Sequence, residues 1–129
     1  MREIWKDIKN YEGIYQVSNL GNVKSLDRII ISKDKKRNIR GRILHLSICP
    51  DGYFFCHLCK NGKDKNCKVH RLVAETFIKN PDNYPCINHI DGNKLNNKIE
   101  NLEWSSYSHN VKEAFRLGLR KPRGKAKKK

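Results

Sequence analysis

The sequence predicts an α+β protein in which small antiparallel N-terminal sheets precede a ββα unit. Three observations carry this prediction. Two hairpin signals, Asp51-Gly52 and Asn61-Gly62, separate runs rich in β-branched and aromatic residues. The segment from His70 to Ile78 carries Leu72, Val73, Thr76 and Phe77 at helical spacing. The window from Cys86 to Asn110 reads as strand, turn, extended segment and helix start.

The elements follow in order. Ile14, Tyr15 and Val17 favour a strand, Ser18-Asn19-Leu20-Gly21-Asn22 is turn material, and Val23 to Leu26 is the return strand. Trp5, Ile8, Tyr11 and Tyr15 supply a small apolar cluster. Residues 27–42 hold Arg28, Lys33, Lys35, Lys36, Arg37, Arg40 and Arg42 against Asp27 and Asp34. Within them Ile29-Ile30-Ile31 suits a strand, and the charged middle suits a protruding loop that touches phosphate. Ile43–Ile48, Tyr53–Cys59 and Cys67–Val69 form a three-stranded meander through the two hairpin signals, and Pro81 and Pro85 close the helix that follows. Cys86 to Ile90 is a short strand, Asp91-Gly92-Asn93 a turn, and Asn101 to Trp104 a second extended segment. Ser105 or Ser106 can cap a helix carrying Val111, Ala114 and Phe115 that ends near Gly118. The tail from Arg120 onward has no apolar anchor beyond Ala126, so disorder is expected there.

Charge narrows the partners. Twenty-eight Lys and Arg against 13 Asp and Glu give a net charge of +15, far more than solubility needs, which predicts an acidic partner. Nucleic acid fits better than an anionic membrane, because no amphipathic basic helix stands out. No apolar run is long enough to span a bilayer, and no basic-then-apolar leader opens the sequence, so a cytoplasmic protein is expected. Cys49, Cys56, Cys59, Cys67 and Cys86 are odd in number and read as reduced thiols. Cys56 and Cys59 fall three apart on a predicted strand and point to opposite faces, so a structural zinc is not expected.

The chemistry concentrates between Asn88 and Asn110. Hydrolysis of a phosphodiester needs a base for water, stabilisation of the extra charge in the phosphorane-like transition state, and neutralisation of the leaving oxygen. His89, with an ordinary imidazole pKa near ~6.5, can be the base. Packing the helix across the hairpin brings His89 and Asn110 over one cleft. The side-chain carbonyls of Asn88 and Asn110 are hard ligands suited to one divalent cation, Mg²⁺ or Mn²⁺, which can serve the other two needs. Asp91 reads as a turn cap, and Asn93, Asn96 and Asn97 as turn formers. His70, at the start of a helix, suits a hydrogen-bonding cap or a catalytic role. Trp104 reads as core, and His45 and His57 receive no chemistry.

These residues also form longer motifs. They are Val69-His70-Arg71-Leu72-Val73-Ala74, Asn88-His89-Ile90-Asp91-Gly92-Asn93-Lys94, Asn96-Asn97 through Asn101-Leu102-Glu103-Trp104, and Asn110. The set resembles an HNH endonuclease of the phage and intron-encoded homing type, with a ββα-metal site. Ile4-Trp5-Lys6-Asp7-Ile8 and Tyr11-Glu12-Gly13-Ile14-Tyr15-Gln16-Val17-Ser18-Asn19-Leu20-Gly21 are similar to the modular segment that precedes such nuclease domains. The resemblance implies a metal-dependent DNA endonuclease. In it His89 is the general base, Asn101 fixes the loop and the orientation of His89 by hydrogen bonds, and Asn110 is a metal ligand, preferred over its neighbour His109. The family often carries an acidic metal ligand before the base; here that position is Asn88. The domain division expected is 1–66 for β-rich DNA binding, 67–119 for the nuclease unit and 120–129 for the basic tail. Double-stranded DNA would be held by Lys24, Arg28, Lys33, Lys35, Lys36, Arg37, Arg40, Arg42, Arg120, Lys121 and Arg123. No helix-turn-helix module follows, so a short or relaxed recognition site on a monomer or weak dimer is expected. The competing expectation is a non-catalytic DNA-binding relative.

Overall fold

A computed structural model describes residues 2–109 of the chain. The first sheet is antiparallel, in the order β1 (Trp5–Asp7), β2 (Tyr15–Ser18), β3 (Val23–Ser25). The sequence predicts β2 and β3 but not β1, whose residues are largely solvent-facing and lack alternation. Pairing with β2, Trp5 against Ser18 and Asp7 against Gln16, makes β1 a strand. The turn after β2 is closed by Ser18, whose Oγ accepts the N–H groups of Leu20 and Asn22 at 3.1 Å. Asn19 ties the entry to β1, accepting from Ile4 N at 2.7 Å and donating to the Arg2 carbonyl at 3.1 Å.

The cationic segment is a two-stranded ribbon: β4 (Arg28–Ser32) contains the strand expected at Ile29–Ile31, and it pairs with β5 (Lys35–Ile39) where the charge predicts a loop. Lys33 and Asp34 connect the strands with φ of 47° and 66°, the double left-handed geometry of a type I′ turn. Neither is glycine, so the turn leaves no sequence signal. Exposed charges also do not oppose a strand whose side chains alternate into solvent. Among the described residues this ribbon pairs with no other sheet.

The meander is β6 (Ser47–Ile48), β7 (Phe54–Lys60) and β8 (Lys63–Lys68). Asn61 (φ 53°) and Gly62 (φ 76°) again make a type I′ turn, as the sequence predicts. The first strand is shorter than expected because the chain before it belongs to the first sheet: Ile43 bridges Lys24 and Leu44 N bonds Val23 O at 2.8 Å. Cys56 is buried with Cys67 directly across the ladder, while Cys59 lies on the other face and its thiol donates to Asp64 at 2.7 Å. Burial pushes the Cys56 thiol up to about 12.

Helix α1 (Val69–Phe77) buries Val69, His70, Leu72, Val73 and Ala74 against β2, β7 and β8. It also packs on the last hairpin, β9 (Cys86–His89) and β10 (Leu102–Ser105), which a single 3₁₀ turn, Ile99–Asn101, leads into. Trp104 Nε1 donates to the Ile78 carbonyl at 3.0 Å, so this half-buried indole ties β10 to the end of α1. One apolar core runs from Ile8, Tyr15, Val17 and Val23 through Leu58, Val69 and Val73 to Ile87 and Leu102. It crosses the division expected at 66/67, and β8 spans that point. Of the aromatic cluster predicted near the N-terminus, Tyr15 is buried and Tyr11 packs against the core, but Trp5 lies half-exposed beneath Lys24 Nζ, 4.3 Å from its ring centroid. Among the described residues no helix is long and apolar enough to cross a membrane.

Candidate active site

His89 is the last residue of β9 and is only 6% exposed. Its Nε2 lies 2.9 Å from Asn97 Oδ1. An amide oxygen only accepts, so this bond puts the ring proton on Nε2 and leaves Nδ1 as the basic atom. Burial holds the His89 pKa below the ordinary imidazole value, and the bond to Asn97 only partly offsets that. The ring is therefore neutral at pH 7.

The loop after His89 is held by amides. Asn101 Oδ1 accepts from Asp91 N at 2.9 Å, and its Nδ2 donates to Asp91 Oδ1 and to the Asn96 carbonyl, both at 2.9 Å. Asp91 accepts in turn from Asn93 N at 2.7 Å and Asn96 Nδ2 at 2.9 Å. These bonds, that of Asn96 foremost, hold its carboxyl below the usual range. Asp91 is thus a turn cap. Asn101 fixes the loop, but the orientation of His89 that the sequence assigns to Asn101 is made by Asn97. Asn97 is 4% exposed and sits against Gly21 of the first sheet; an ideal Cβ on Gly21 would lie 2.9 Å from Asn97 Cβ. Beside it, Ile99 N bonds the Asn19 carbonyl at 3.0 Å.

Behind His89 stands an aromatic wall that sequence reasoning missed. The Tyr53 and His70 rings lie 4.7 Å apart, and their centroids are 5.8 and 5.3 Å from that of His89. His70 does not cap α1, whose N-cap is Lys68 without a side-chain bond. Burial, followed by the neighbouring His89, pushes the His70 pKa down to about 3. Lys68 and Lys94 place ammonium groups 4.9 and 5.1 Å from the Tyr53 centroid, a cationic rim beside the wall. The only local signal was the position of His70 inside the Val69–Ala74 motif; Tyr53 merely follows a turn.

Asn88 faces the other side of the ribbon, since neighbours on a strand alternate. It pairs with Glu103 across the β9–β10 ladder and donates from Nδ2 to Glu103 Oε2 at 2.8 Å. His109 Nε2 is 3.7 Å from the same oxygen. Residues 107–109 are helical, and Ser106 Oγ accepts from His109 N at 3.1 Å, the expected N-cap. Asn110 and the rest of the predicted helix lie outside the described residues. With Nδ2 engaged, Asn88 Oδ1 remains to act as a hard donor. One amide oxygen, one carboxylate and one imidazole make a donor set that fits a hard or borderline divalent cation. Among the described residues no three His, Cys, Asp or Glu side chains group as a metal site.

Of the predicted phosphate contacts, Lys33, Lys35, Lys36, Arg37, Arg40 and Arg42 are exposed on or beside the ribbon. Arg28 differs from that expectation: it is half-buried, its guanidinium lies 5.8 Å from the Tyr15 centroid, and its Nη1 is buried. Lys24 is half-buried on Trp5. Arg120, Lys121 and Arg123 lie outside the described residues.

A ββα hairpin with a buried histidine at the strand end, preceded by a small sheet locked onto its loop, defines a class. Residues 67–112 match the HNH endonuclease family and residues 3–59 match the NUMOD4 motif. The DNA endonuclease I-HmuI of Bacillus phage SP01 is 41% identical over 114 residues, covering 88% of this chain and 59% of the relative. An uncharacterized HNH endonuclease of Acanthamoeba polyphaga mimivirus is 42% identical over 117 residues, 91% of this chain and 31% of its own length. A solved structure described as DNA binding and cleavage by the HNH homing endonuclease I-HmuI matches with a TM-score of 0.74 and 40% identity, covering 92% of this chain and 62% of that one. The chain thus spans less than two thirds of each of these relatives.

Proposed function

We propose that this protein is a metal-dependent endonuclease of the phage homing type that hydrolyses phosphodiester bonds in double-stranded DNA. The observation that carries this reading is the state of His89: buried, neutral, with Nε2–H bound to Asn97 at 2.9 Å and Nδ1 left basic. In that state Nδ1 can take a proton from the attacking water without first losing one. Asn97 holds the ring's tautomer and plane, and the Asp91–Asn101 network holds the loop that carries Asn97. Lys68 and Lys94 draw a phosphate toward this end of the hairpin, and the exposed cations of the β4–β5 ribbon hold the duplex.

HNH nucleases use a divalent cation. Asn88 and Asn110, with His109 as the alternative to Asn110, are the residues that would hold it. A bound Mg²⁺ or Mn²⁺ supplies charge stabilisation at the phosphorane and the leaving 3′ oxygen. One such site on a monomer or weak dimer cuts one strand per encounter. The similarity to a Bacillus phage endonuclease supports a bacterial host cytoplasm as the place of action.

Supercoiled plasmid incubated with Mg²⁺ or Mn²⁺, with EDTA as control, tests the reading. Nicking by wild type and a loss on the order of 10²–10⁴-fold in His89→Ala are expected. Intact plasmid with wild type, or equal nicking by the variant, refutes it.

A further inference from the structure

The geometry points to Glu103 as the anionic ligand of the metal centre, a proposal that rests on the nuclease reading above. A divalent hard cation is held firmly by a site that returns negative charge to it; neutral amides and water alone bind weakly. Asn88, beside the base, carries none. The ladder register places Glu103 directly across from it, on the same face of the hairpin, and the Asn88 amide points at the carboxylate from 2.8 Å. His109 arrives at the same oxygen from the first turn of the following helix, at 3.7 Å. Strand, strand and helix therefore converge at Glu103.

The other carboxylates near the site are committed elsewhere. Asp91 is saturated by Asn93, Asn96 and Asn101, and Asp51 pairs with Lys68 at 2.9 Å. The bland alternative makes Glu103 a surface partner of His109. Their side chains are 43% and 49% exposed, and such a pair is worth little in water. It also leaves unexplained why Asn88, only 6% exposed, turns its amide to this carboxylate. The same partial exposure keeps Glu103 open to a hydrated ion. The pair thus holds its amide beside the base, at Asn88, and its carboxylate directly across the ladder, at Glu103.

Mn²⁺ binding to the whole chain without DNA, followed by electron paramagnetic resonance of free Mn²⁺, tests this apart from activity. Wild type should bind one ion, and Glu103→Gln, which keeps size and hydrogen bonding, should weaken binding at least about tenfold. The double variant Asn88→Asp with Glu103→Gln returns a carboxylate to the pair and should recover to within about threefold of wild type. Metal-free urea unfolding of each variant shows that it is folded. Glu103→Gln binding as tightly as wild type overturns the proposal, as does a folded double variant no better than Glu103→Gln. Either result leaves the nuclease reading intact if wild type nicks plasmid. A wild type that neither binds Mn²⁺ nor nicks overturns that reading and the proposal with it.

Discussion

Gly21 and Asn97 join the N-terminal sheet to the general base, and Gly21→Ala is expected to slow nicking. Gly21 has φ +91°, where an L side chain is strained by roughly 1–2 kcal/mol. The added methyl would lie 2.9 Å from Asn97 Cβ and 3.3 Å from its carbonyl oxygen. Carbon atoms prefer about 3.5–4.0 Å, so the two segments must part by roughly half an ångström to one ångström. The bond from Ile99 N to Asn19 O at 3.0 Å resists that separation. Overpacking of this kind costs roughly 1–3 kcal/mol, for a total loss of roughly 2–5 kcal/mol. The displaced residue is the one that holds His89 Nε2, and a misplacement near one ångström can slow a reaction up to about a hundredfold. Gly13→Ala is the control, because Gly13 has φ +78° with nothing within 4 Å of the new methyl. It carries the strain without the steric clash. Single-turnover nicking should be compared at a temperature where urea curves show both variants folded. A folded Gly21→Ala that nicks within about twofold of Gly13→Ala refutes the coupling between this turn and the base.

Two further outcomes follow from the surface and from the wall behind His89. Replacing Lys35, Lys36 and Arg37 together with alanine should weaken DNA binding and lower the slope of log affinity against log salt by about 0.9 for each phosphate no longer neutralised. The rate at saturating protein should hold, and an unchanged salt slope rules the ribbon out as a phosphate clamp. His70 makes stability depend on pH. Its folded pKa lies near 3 and its unfolded value near ~6.5, so below that value the unfolded state binds more protons. Its contribution is complete above about pH 6.5 and is lost as pH falls toward its folded pKa, by roughly 1.4 kcal/mol per pH unit at most. Urea midpoints between about pH 7 and pH 4 should fall less steeply in His70→Phe than in wild type, and parallel curves contradict the assignment.

Local chemistry made part of this molecule legible. Asn61-Gly62 signals its hairpin because those residues tolerate positive φ, and α1 shows in the spacing of Leu72, Val73, Thr76 and Phe77. The Asp91–Asn101 loop could be read because its bonds join residues at most ten apart. The turn at Lys33 and Asp34 and strand β5 after it could not, because the turn is made without glycine, and β1 could not, because its pairing with β2 alone makes it a strand.

By itself the sequence determined the residue types and their order: a basic chain, a histidine at a strand end, an amide-rich loop, and a family resemblance that its relatives bear out. Only the tertiary structure decided which of them meet. Asn97 takes the His89 ring, Tyr53 and His70 stand behind it, Glu103 faces Asn88, and Gly21 leaves room for Asn97. The physical reason is the range of the forces. Propensity and turn chemistry act over a few residues and are written locally. Strand register and the burial that keeps His89 neutral arise when distant segments share one core, and no local pattern encodes that.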